Sequence, residues 1–166
     1  FRKDAHEGDD HTIETVDYTY LSGGQTKVRT IRHKNGNFKF DETINTNKCV
    51  YDMMSSVFYA RTLDFQNMKK GDKVYVEFIS GRTKKDMQII HEGTDTQKGS
   101  NDVKYKCIKL SLKISDDAFD NSEEAMKVYI TDDMNRMPVR IDSKLKFGST
   151  RVILKGYKGN KYAVNT

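Results

Sequence analysis

Val103-Lys104-Tyr105-Lys106-Cys107-Ile108-Lys109-Leu110-Ser111-Leu112-Lys113-Ile114 alternates over twelve residues. A period of two places one set of side chains on each face of an extended strand. Ile108, Leu110, Leu112 and Ile114, in phase with Lys106, form the predicted inward face, leaving Tyr105, Cys107, Lys109 and Ser111 on the other. Similar patterns lie on either side. Lys73 to Ile79 places Val74, Val76 and Phe78 together, and Thr83 to Glu92 follows across a turn at Gly81. Residues 93–102 are polar and read as a loop. Ala125 to Thr131 has Met126, Val128 and Ile130 inward, Arg136 to Asp142 carries Pro138 as a mark of an edge, a bulge or a strand start, and Lys146 to Lys155 offers Phe147, Val152 and Leu154 to a core. Residues 116–124 are acidic and read as a flexible connection. Upstream, Val16 to Leu21, the strand around Val28 and Thr30, and Phe38 to Ile44 form a meander. Gly23-Gly24 and the strong hairpin signal Asn35-Gly36 make its turns.

One stretch breaks the period. After Asp52, a suitable N-cap, Met53 to Thr62 carries Met53, Val57 and Ala60 on one stripe and Met54, Phe58 and Arg61 beside it. Nearly every position but the serines is large, which predicts a helix covered on more than one side. Many short strands and one helix give the expected fold class: mainly β, an antiparallel barrel or half-barrel wrapped around one central α-helix.

The 166 residues fit one domain, and Lys and Arg exceed Asp and Glu by 29 to 24, too small a bias for a charged tail protein. No apolar run reaches the roughly 20 residues of a transmembrane helix. Cys49 and Cys107 have neither a disulfide-framework nor a metal-ligand spacing. A pair in an oxidising compartment and two small buried residues both remain open, the second being the ordinary case.

Motifs for chemistry are sparse. His6 and His11 with Asp9-Asp10 form a metal candidate, against the commoner reading of solvated side chains near a terminus. Asp132-Asp133 and Asn135 look superficially like calcium ligands, but without the glycine and distal glutamate of an EF-hand they read as a turn held by side-chain to backbone hydrogen bonds. His91 lacks a neighbouring serine or cysteine, which weakens a hydrolase reading. Lysine patches near turns and the aromatic residues Tyr18, Tyr20, Phe38 and Phe40 do not amount to a nucleic-acid surface. No catalytic, cofactor or metal residue is assigned, and no cofactor or nucleic-acid partner is expected. The sharper candidate is a hydrophobic groove beside the helix, lined by Met53, Met54, Val57, Phe58 and Tyr59, with a filled core as its alternative.

Tyr51 to Arg61, continuing through Met68-Lys69-Lys70-Gly71-Asp72, resembles the helix region of the DUF3108 family of bacterial envelope proteins. Lys106 to Lys109, Val128 to Asp133, Arg136 to Val139 and Leu154 to Tyr157 are similar to its later segments. The resemblance spans residues 16–157 and is nearest to Bacteroides-type members. It implies an exported protein with its signal peptide removed, in the periplasm or associated with the outer membrane, with a helix on the concave side of a half-barrel. It transfers no catalytic residue. The domain reading that follows is 1–15 as a flexible or truncated segment, 16–157 as a single β domain and 158–166 as a tail, with the family's earlier strands either missing from the chain or absent from a shortened member. The function expected is non-enzymatic binding of a lipid, an acyl chain or another envelope component. The alternatives are a structural or protein-interaction module and a weakly supported hydrolase.

Overall fold

The computed structural model describes residues 1–114, 125–144 and 148–166. The acidic connection at 116–124, the core candidate Phe147 and the side chain of Met53 lie outside the described residues. The chain divides into two compact units, Phe1–Val57 with Val76–Asp86, and Phe58–Tyr75 with Met87–Thr166.

The first unit carries a four-stranded antiparallel meander, β1 (Arg2–Glu7), β2 (Asp10–Tyr20), β3 (Thr26–Lys34) and β4 (Asn37–Thr46), paired in that order. Residues 1–15, expected as a flexible or truncated segment, contain β1 and the first half of β2. The signal lay in Gly8, whose φ of 62° closes a two-residue turn between the paired Glu7 and Asp10. At the predicted hairpin, Asn35 (φ 52°) and Gly36 (φ 75°) adopt the two left-handed conformations a type I′ turn requires. Val16 and Val28 from this meander pack with Val50 and Ile79, and Tyr18 and Ile44 complete the cluster. Glu14 is buried on the same face and ion-paired with Arg32, whose guanidinium lies 5.2 Å from the Phe40 ring centre.

β5 (Val50–Tyr51) pairs parallel with β6 (Lys73–Ser80), as a strand pair separated by a crossover must. The crossover contains α1 (Met53–Ala60). Asp52 caps it as expected: its Oδ1 accepts the amides of Met54 (2.8 Å) and Ser55 (2.9 Å). Ser55 Oγ returns the favour by accepting the Asp52 amide at 2.8 Å, a capping box with serine in the glutamate position. Tyr18 donates its hydroxyl to Asp52 Oδ2 at 3.0 Å. Burial, then the neighbouring Asp52 charge, pushes the Tyr18 hydroxyl well above the usual tyrosine range.

The second sheet has seven strands in the order β11-β10-β9-β8-β7-β6-β5, with β7 (Thr83–Lys98), β8 (Lys104–Ile114), β9 (Met126–Thr131), β10 (Pro138–Lys144) and β11 (Ser149–Ile153). With eleven strands and one α-helix among the described residues, the fold is mainly β as expected. Two strand readings change. β7 does not end at Glu92. It runs to Lys98, absorbing Gly93 (φ 90°) in a register shift between His91 and Thr94. A bulge of this kind lets a glycine-bearing polar stretch remain in a ladder. β8 is buried on both faces. Ile108, Leu110, Leu112 and Ile114 are inside as expected, but Tyr105 and Cys107 are also fully buried, in a second cluster with Tyr129 and Val139. Met137, Leu154 and Val164 pack against that cluster, so residues expected as a tail help cover the sheet. Both cysteines are free; Cys49 is exposed, and burial pushes the Cys107 thiol up to about 11.

Removing the cap tests the placement of α1. Asp52→Ala should lower unfolding stability by about 1–2 kcal/mol in urea titrations, whereas Asp52→Asn, which keeps an acceptor for the same amides, should lose less.

Candidate functional site

The helix does not present its surfaces as the pattern suggested. Its buried line is Asp52, Ser56 and Ala60, spaced four apart, while Met54 (51% exposed) and Phe58 (58%) face solvent. Small residues let the helix backbone approach its packing surface, and the larger side chains are turned outward. Of the candidate groove residues, Val57 and Tyr59 are half-buried and Met54 and Phe58 are open.

Arg61, just past the helix, lies on the stripe of Met54 and Phe58, with its guanidinium carbon 5.6 Å from the Phe58 ring centre. Its Nη2 donates to the Asn135 carbonyl at 2.8 Å, and its buried Nε has no hydrogen-bond partner among the described residues. Arg61 thereby enters a pocket of about 390 Å³ in the second unit. Met134, Met137, Tyr157 and Tyr162 supply its apolar and aromatic walls, and Lys158 and Lys161 add two more cations. Among the described residues, no carboxylate is paired with Arg61, Lys158 or Lys161.

The pocket is built by the β9–β10 turn holding the chain end. Asp133 Oδ1 accepts from the Asn135 amide (2.8 Å) and the Thr131 hydroxyl (3.0 Å), and Oδ2 accepts from the Asn165 amide (2.9 Å). Asn135 Nδ2 donates to the carbonyls of Tyr162 (3.0 Å) and Ala163 (3.2 Å), while its Oδ1 accepts the Tyr162 amide at 3.0 Å. Asn165 closes the exchange, donating through Nδ2 to the Asp132 carbonyl and accepting the Lys106 amide. The acidic turn is thus a side-chain to backbone staple, as its sequence suggested. Burial raises the Asp133 carboxyl, but the hydrogen bonds from Asn165, Asn135 and Thr131 outweigh it and hold the group below its ordinary value of 3.8.

The other candidates fall elsewhere. His91 is buried with its ring tilted against Phe65 at 5.8 Å, and Nδ1 has no hydrogen-bond partner among the described residues. A general base held by an orienting carboxylate would show such a bond. Arg136 covers Phe65 at 5.0 Å and pairs with Asp132 at 3.5 Å. Asp10 is engaged by Lys34 and Asn35, and Asp4 instead joins His6 and His11. The sequence reading missed the pocket because Tyr157-Lys158-Gly159-Asn160-Lys161-Tyr162 reads as a polar tail. Its available signal was two adjacent aromatic and cationic pairs, Tyr157-Lys158 and Lys161-Tyr162.

A family described as "Protein of unknown function (DUF3108)" matches residues 1–155. No curated protein and no solved structure matches the chain.

Asp133→Ala should cost about 2 kcal/mol of stability at neutral pH through its lost acceptors. It should also speed hydrogen exchange at the Asn165 and Tyr162 amides. Because the folded carboxyl sits below 3.8, its contribution is complete above that value and is lost as pH falls through the folded pKa. Wild-type protection at these amides should therefore drop on acidification below 3.8 relative to the variant.

Proposed function

The chain belongs to the DUF3108 family, and from that premise we propose that it is a non-enzymatic binding protein of the bacterial envelope whose ligand is an amphiphilic anion. The observation that carries this reading is a 390 Å³ pocket with three cations and no paired carboxylate among the described residues. Pockets of this size hold small molecules. A carboxylate or phosphate head would pair with Arg61, Lys158 and Lys161 and give the free Arg61 Nε an acceptor. An acyl chain would follow the apolar stripe that meets the pocket at Arg61 and lie on the exposed Phe58. Soluble periplasmic or outer-membrane-associated residence suits a carrier of this kind. No helix among the described residues is long and apolar enough to cross a membrane.

A second reading, a protein-interaction module, draws on β11. This edge strand is exposed along its whole length, and Val152 is 61% exposed. Unpaired strand edges accept another strand.

Lipid extraction and native mass spectrometry of protein purified from its own host should yield a bound anionic amphiphile. Calorimetry with dodecanoate should show at least ~10-fold weaker binding for Arg61→Gln with Lys158→Gln, corresponding to about 1.4 kcal/mol. Clean apo protein together with unchanged dodecanoate affinity in that variant would reject the carrier reading.

A further inference from the structure

The β1–β2 hairpin of the first unit carries a second cluster, unrelated to the pocket. His6 and His11 are directly opposite in the ladder, and Asp4, two residues before His6, shares their face. The His11 amide and carbonyl are both turned toward Asn35, the amide to Asn35 Oδ1 at 2.7 Å and the carbonyl to the Asn35 amide at 2.8 Å. His6 and His11 are therefore a non-hydrogen-bonded pair, the type in which facing side chains stand closest. Their rings stack at 4.0 Å with planes 7° apart. Val16 points to the buried face of the meander, so His11, Ile13 and the rest of the odd register of β2 occupy the opposite, accessible face.

We propose that Asp4, His6 and His11 form a binding site for a divalent first-row transition ion, with zinc(II) as the ion to test. One ligand atom from each of the three lies within 4.8 Å of the others. Two imidazoles and one carboxylate are a standard donor set for such ions, and three protein ligands leave coordination positions open to water. With metal–ligand bonds of ~2.0–2.1 Å, tetrahedral donors stand roughly 3.3 Å apart. Asp4 Oδ1 and His11 Nε2 are now 2.7 Å apart, so a small opening of that pair makes room for the ion between them. Rotation about the His6 side-chain bonds brings in the third ligand without moving the ladder. Arg2, 3.1 Å from Asp4 Oδ2, leaves Oδ1 for the ion and orients the carboxylate from behind.

Cross-strand pairing holds all three ligands on a rigid hairpin, so binding stiffens that hairpin and involves no distant element. The experiment is calorimetric titration of zinc chloride into the untagged, EDTA-treated and dialysed chain, followed in parallel by the imidazole proton signals. One equivalent of zinc should bind, with the His6 and His11 signals shifting and that of His33 unmoved. His6→Ala and His11→Ala should each weaken binding by at least ~10-fold, with circular dichroism unchanged, and His33→Ala should bind as the parent does. Absence of a stoichiometric binding event in the parent chain would overturn the site. So would equal affinity in the His6→Ala/His11→Ala double variant, or a zinc-induced shift at His33 in place of His6 and His11.

Discussion

The Asp133 carboxylate is the constraint on which the second unit depends. One oxygen shapes the β9–β10 turn through Thr131 and Asn135, and the other captures the Asn165 amide from the chain end. Once the end is captured, Val164 can lie against Tyr105, Cys107, Tyr129 and Val139, which explains why β8 is buried on both faces. The same turn presents the Asn135 carbonyl to Arg61 and the Asn135 side chain to Tyr162 and Ala163. A single acceptor group thus couples a core, a chain end and a cationic pocket. Backbone amides and the Thr131 hydroxyl, not cations, hold Asp133, and among the described residues no carboxylate pairs with Arg61, Lys158 or Lys161.

The first unit has its own anchoring carboxylate. Asp52 is buried, receives two helix amides and the Tyr18 hydroxyl, and fixes the start of α1 against the meander strand that bears Tyr18. With the start of the helix set, its periodicity decides which side chains are left outside. Placing Ser56 and Ala60 inward leaves Met54 and Phe58 outward. Apolar side chains in water cost free energy when they could be buried, so an exposed stripe of this kind is a candidate contact surface.

Much of the β architecture was legible because its signals are local. Asn35-Gly36 specified a turn through the two left-handed residues it tolerates, and the alternation in Lys73 to Ile79 and Val103 to Ile114 marked strands by period alone. The Asp52 cap was legible for the same reason. What escaped depended on partners distant in sequence. Tyr105 and Cys107 stand on the face opposite the predicted inward one, and what buries that face, residues 137, 154 and 164, lies far along the chain. The reach of β7 beyond Glu92 rests on pairing with β8, which no local composition reveals. The helix was located correctly and Ala60, on its predicted stripe, is buried, but Ser56 also lies on the buried line, where hydrophobicity gives a serine no weight. Asp132-Asp133 was legible as a turn, but the long-range bond to Asn165 was not.

The staple-built pocket is proposed to take the head of an anionic amphiphile. The most direct measurement is a map of backbone and side-chain NMR shifts on adding dodecanoate to the isotopically labelled full chain. Perturbations should concentrate at Arg61, Met134, Asn135 and residues 157–162, extending to Phe58 as the acyl chain settles. Saturable binding with the perturbations placed elsewhere, or no perturbation at Arg61, would contradict it.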